Sequence, residues 1–103
     1  MGYDTVITGG TVVTAGDTVR CDVGIRDGRV VVLSDDLSAE SAADRIDATG
    51  LLVLPGGIDA HVHLAEDGYG GLKMADDFES GSVSAACGGT TTMLPFVTQN
   101  YKR

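Results

Sequence analysis

His61 and His63 are the only histidines in the chain, and they stand one residue apart in the string Pro55-Gly56-Gly57-Ile58-Asp59-Ala60-His61-Val62-His63-Leu64. On a β-strand, successive side chains point to opposite faces. Asp59, His61 and His63 therefore share one face, and Ile58, Ala60, Val62 and Leu64 share the other. A central parallel strand is ordinarily apolar on both faces, so a wholly polar face needs a reason. Neutral imidazole is a common ligand for divalent transition metals, and two imidazoles one pleat apart can reach the same ion. The competing account is a pair of hydrogen-bonded, partly covered histidines with no ligand. The pairing of the two, with Asp59 on the same face and a strand–helix–strand pattern around them, favours metal binding.

Other polar clusters are structural. Gly88-Gly89-Thr90-Thr91-Thr92 lacks the GxxxxGK[ST] pattern of a phosphate loop and reads as a helix stop followed by a strand start. Asp76, Asp77 and Glu79 suit the N-terminus of a helix, where acidic groups complement the helix dipole.

The elements that position the histidines follow from hydrophobic pattern and turn residues. Strands are expected at Tyr3 to Thr8, at Thr11 to Thr14, at Cys21 to Arg26 and at Val30 to Leu33. Val23 and Ile25 lie on one face of the third. Asp27-Gly28 between two such runs predicts a tight hairpin, because a two-residue turn demands positive φ. Ser34 to Asp44 reads as a loop or short helix. Two further short strands are expected at Arg45 to Asp47 and Leu51 to Leu54. From Pro55 the character changes. A strand over Ile58 to Leu64 is followed by a glycine-containing loop over Ala65 to Ala75 and a helix over Phe78 to Cys87, capped by Asp76 or Asp77. A buried strand is expected over Thr90 to Val97. Strand, helix, strand in about 40 residues is a βαβ unit, which implies parallel pairing. The fold class is α/β, with residues 1–54 a part of a β-sandwich and residues 55–103 a separate βαβ segment.

Composition narrows the partners. Fifteen acidic residues against seven basic ones give a formal net charge of −8, which argues against nucleic acid and anionic membrane, since both require a basic surface. No apolar run approaches the length of a membrane span, and no signal peptide is visible at the N-terminus. Cys21 and Cys87 form no CxxC motif and read as buried small hydrophobes in a reducing cytoplasm.

The string PGGIDAHVHL resembles the first barrel strand of the amidohydrolase superfamily, whose pattern Pro-Gly-x-Ile-Asp-x-His-x-His is matched at Pro55, Gly56, Ile58, Asp59, His61 and His63. The stretch MADDFESGSVSAACGGTTTMLPF from Met74 to Phe96 is similar to hydantoinases and dihydropyrimidinases. Allantoinases and dihydroorotases share the Gly-Gly-x-Thr-Thr element but match less well around Asp76-Asp77-Phe78. The opening strings VITGGTVVT and VGIRDGRV resemble the same family's N-terminal sandwich strands, so the likeness covers essentially the whole chain.

What this resemblance implies is a (β/α)8 barrel flanked by a β-sandwich, with residues 55–103 supplying barrel strand 1, helix 1 and strand 2. It also implies two divalent metal ions, zinc above all, with His61 and His63 on the more buried one. The substrate would be a small cyclic amide or ureide whose ring amide is hydrolysed, and the intact protein a cytoplasmic homo-oligomer, a tetramer. Asp59 would stand behind the ligands, and Leu64 and Tyr69 would border the pocket for the ring substituent. The family's bridging carboxylated lysine, two further histidines and catalytic aspartate belong to later strands. Lys73 and Lys102 do not match that lysine, so no catalytic residue is expected in this chain, and alone it is expected to be inactive. Relatives that serve as non-catalytic scaffolds usually lose metal ligands; both histidines are retained here.

Overall fold

The computed structural model describes residues 2–66 and 71–97. In chain order the elements are β1 (Tyr3–Thr8), β2 (Thr11–Val13), β3 (Thr18–Arg20), β4 (Asp22–Arg26), β5 (Arg29–Ser34), β6 (Ala42–Asp47), β7 (Leu52–Val53), β8 (Gly57–Val62), α1 (Phe78–Cys87) and β9 (Thr90–Pro95). They fall into two compact units, Met1–Pro55 and Gly56–Arg103.

The first unit is built from two sheets. One has the order β5-β4-β1-β6 and the other β3-β2-β7. Val12 on β2 and Val23 on β4 are buried together with Cys21, and Ile7, Ile25 and Val53 pack against them. Both sheets thus contribute to one apolar interior, as alternating strands in a sandwich require. β1 is central, antiparallel to β4 and parallel to β6, and Val6 in its middle is fully buried. The Asp27-Gly28 hairpin forms as its chemistry demands, with φ of 51° and 68° at the two residues and Arg26 opposite Arg29. The Asp27 amide also donates to Asp4 Oδ2 at 2.6 Å.

The chain changes sheet three times, between β1 and β2, between β3 and β4 and between β6 and β7, and the first and last of these corners are bonded to each other. Ala48 N donates to Thr8 O at 2.8 Å, and Thr11 N to Leu51 O at 3.0 Å. Asp22 is the buried polar residue beside them. Its Oδ1 accepts from Gly9 N and its Oδ2 from Leu37 N, each at 2.9 Å. Both carboxylate oxygens are thereby satisfied, as burial demands.

Two sequence expectations need correction in this unit. β3 was not foreseen: Thr18–Arg20 is exposed throughout, so it has no alternating pattern to read. It is a strand because the turn closed by Thr14 N to Asp17 O at 2.8 Å lays it antiparallel to β2. Of the loop or short helix expected over Ser34 to Asp44, the loop forms, but it is shorter than expected: β5 runs to Ser34 and β6 begins at Ala42, because Ala42 and Asp44 pair with Tyr3 and Thr5 of β1.

In the second unit β8 and β9 pair in parallel and α1 connects them. Asp77 caps the helix: its Oδ1 accepts from Ser80 N at 2.8 Å, while Ser80 Oγ accepts from Asp77 N at 3.2 Å. This reciprocal pair satisfies donors that a first turn leaves open. Gly81 is buried within α1. A glycine inside a helix is destabilising by about 0.5–1 kcal/mol relative to alanine, but here a Cβ would collide with the side chain of Leu64. The glycine lets strand and helix approach.

The expectation of a buried final strand also needs correction. Ile58 on β8, Val83 on α1 and Leu94 on β9 are 71%, 58% and 52% exposed, and an open groove lined by Ser82, Val83, Ala86, Thr90, Thr91 and Met93 runs between α1 and β9. A parallel sheet buries both faces only when layers cover both, and among the described residues of this unit one helix and one neighbouring strand are present. Cys87, expected to be buried, is exposed at the end of α1, whereas Cys21 is buried.

Candidate metal site

β8 ends at Val62, so His61 lies on its last turn of pleat and His63 just beyond it. The two imidazoles converge. Nε2 of His61 and Nε2 of His63 are 3.4 Å apart, with ring centroids separated by 5.3 Å. Two nitrogens bound to one tetrahedral zinc at 2.0–2.1 Å stand about 3.3 Å apart. The pair therefore has the bite of two ligands to a single ion. Among the described residues, no group of three His, Cys, Asp or Glu side chains is arranged to hold a metal. Two histidines at this spacing fit half of a tetrahedral coordination shell.

The rings are held on two sides. Glu66 Oε2 lies 2.8 Å from His63 Nδ1. Phe96, just past β9, stacks on His63 with centroids 4.8 Å apart and planes 5° from parallel, and tilts against His61 at 4.5 Å. Register explains its position: Val62 pairs with Pro95, and Phe96 N donates to Val62 O at 3.0 Å. Parallel pairing brings the C-terminal ends of both strands together, so Phe96 meets the face that carries the histidines.

No family model matches the chain. Individual relatives do. A D-hydantoinase from Geobacillus stearothermophilus is 50% identical over 95 residues, covering 92% of this chain and 20% of that protein. A solved D-hydantoinase structure superposes with a TM-score of 0.89 at 40% identity, over 98% of this chain and 21% of that one. The crystal structure of dihydropyrimidinase from Brevibacillus agri NCHU1002 gives 0.87 at 44% identity, over 96% and 21%. The chain is homologous to the hydantoinase and dihydropyrimidinase family. It spans about one fifth of the length of the relatives it matches.

Within this hydantoinase-like chain the residues singled out from sequence fall into different places. His61 and His63 are brought together. Asp59 turns its carboxylate onto its own strand, where Oδ1 accepts from His61 N at 3.0 Å; it shapes the backbone beneath the first histidine. Leu64, expected to border the substrate pocket, is 6% exposed and packs against Gly81 of α1. Tyr69 lies outside the described residues. Lys73 is exposed. Glu66 and Phe96 were not singled out. Parallel pairing of the two strands could have pointed to Phe96, whereas Glu66 carried only a weak signal, its spacing of three from His63. No helix among the described residues is long and apolar enough to cross a membrane.

Proposed function

We propose that this chain is the N-terminal part of a metal-dependent cyclic amidohydrolase that opens the ring amide of hydantoins or dihydropyrimidines. The observation that carries the reading is the 3.4 Å approach of the two Nε2 atoms in a chain homologous to hydantoinases. In the proposed enzyme, residues 1–54 form part of a β-sandwich and residues 55–103 begin a (β/α)8 barrel. β8 then supplies two of the protein ligands at its C-terminal end, where barrel enzymes place their chemistry. His61 and His63 would hold one of two zinc ions, with Asp59 behind them. Zinc in such a site polarises a carbonyl and lowers the pKa of bound water.

The residues of this chain bind and orient. The histidines offer two lone pairs to one point. Phe96 covers the rings and limits their rotation. Leu64 anchors the segment that follows the ligands to α1. On this reading the proton-transferring group belongs to later barrel strands. The intact enzyme is read as a cytoplasmic homo-oligomer; the acidic surface and two free cysteines support the compartment.

The test is replacement of His61 and His63 together by alanine in the intact protein, followed by metal analysis and turnover of hydantoin, dihydrouracil and allantoin. Loss of bound zinc and of ring opening is expected. Undiminished zinc and turnover would overturn the ligand assignment, and the preferred ring identifies the substrate.

A further inference from the structure

We propose that Glu66 is a positioning residue that fixes the tautomer and the aim of His63. The inference rests on the reading of His61 and His63 as metal ligands. A carboxylate only accepts hydrogen bonds, so the 2.8 Å contact between Glu66 Oε2 and His63 Nδ1 places the ring proton on Nδ1. In the neutral ring, the form that binds metal, the lone pair is then on Nε2, the atom that faces His61 Nε2 at 3.4 Å. A ligand histidine held through its other nitrogen is both oriented and made more basic.

The backbone between the two residues supports a built arrangement rather than a chance ion pair. Ala65 has φ of 54°, a left-handed conformation that side chains other than glycine rarely adopt. Ala65 N donates to Asp76 O at 3.0 Å, and the preceding Leu64 is buried against α1. Anchored on both sides, the strained residue turns the chain so that Glu66 returns to the ring it follows. The Glu66 side chain is 14% exposed, against 45% for His63, so the carboxylate is the more covered partner. Phe96 restrains the same ring from its face, leaving Nε2 as the free edge. Strain that survives beside a ligand pair is the kind that the surrounding structure holds in place for a purpose.

The experiment uses the full-length protein and compares Glu66→Ala, Glu66→Gln and the double variant His61→Ala/His63→Ala. Zinc affinity is read by competition with a chromophoric chelator, and the His63 tautomer by ring ¹⁵N shifts in metal-free protein. Glu66→Ala should weaken zinc binding by about 10- to 100-fold and move His63 from the Nδ1–H form toward a mixture. Glu66→Gln keeps an oxygen that can accept from Nδ1 and should restore most of the affinity and the Nδ1–H signature. A purely structural role would leave the His63 tautomer unmoved in every variant that folds. Thermal melts report whether each variant folds; if Glu66→Ala does not, Glu66→Leu keeps the bulk without the acceptor and should give the same loss. Should the acceptor-free variant bind zinc within about twofold of wild type with an unchanged tautomer, while the double-histidine variant loses zinc, the role of Glu66 is overturned and the metal reading stands. If the double-histidine variant binds zinc like wild type, both are overturned.

Discussion

The two units both expose large apolar side chains, but they differ in how far the others close into an interior. In the first, Val6, Val12 and Val23 are at most 7% exposed, two sheets share one interior, and the one buried carboxylate has both oxygens bonded. In the second, Ile58, Val83 and Leu94 stand in the open, and Leu64, packed on the buried Gly81, is the closely held apolar side chain among the described residues. The difference lies in layers rather than in hydrophobicity. Two sheets can close on each other, but a two-stranded parallel ladder with one helix leaves a face uncovered. The first unit therefore carries an interior of its own, whereas the second leaves its sheet face open among the described residues.

The sharpest way to break this contrast is to place the same charge in both units. In the 103-residue segment, Val23→Asp buries an unpaired carboxylate at a cost of about 3–5 kcal/mol, comparable with the whole stability of a unit this small. The dispersed amide signals of β1 and β4 should collapse in a heteronuclear NMR spectrum. Val83→Asp, on an exposed position, should change stability by less than about 0.5 kcal/mol. Equal effects from the two would erase the distinction between the units.

A smaller effect is expected at the corner clamp. Asp22→Ala removes the acceptor for Gly9 N and Leu37 N at once and leaves buried donors open, which costs about 2–4 kcal/mol. Denaturant titration should show a lower midpoint, and amide exchange should quicken first at Gly9 and Leu37. Uniform acceleration across the sandwich would argue against a local clamp.

The smallest effect concerns the helix cap. The backbone hydrogen bond from Ser80, offset by slight desolvation, holds the Asp77 carboxyl below its ordinary value. A carboxylate whose pKa is depressed by folding stabilises the fold above its unfolded pKa, and that contribution is lost as pH falls through the folded value. Exchange at Ser80 and Gly81 should thus be insensitive to the cap's ionisation near neutrality and rise as pH drops below about 4. Asp77→Ala should show the faster exchange already at neutral pH. A variant indistinguishable from wild type at both pH values would mean that the cap contributes nothing to α1.

Local chemistry was legible in the sequence wherever it decided the outcome. The Asp27-Gly28 turn, the helix from Phe78 to Cys87 with Asp77 before it, and the shared face of His61 and His63 all follow from φ preferences, side-chain acceptors and the period of a strand. What only tertiary structure decided were the features that depend on a distant partner. β3 and the first half of β6, from Ala42 to Asp44, are strand because β2 and β1 lie beside them, not because of their own pattern. Leu64 turns to α1 because Gly81 leaves room for it. Glu66 reaches His63 because a left-handed Ala65 is pinned by Asp76. Spacing in a sequence shows which side chains can share a face; the distance across a sheet or a loop is set by packing, and that packing brought Phe96 and Glu66 to the two histidines.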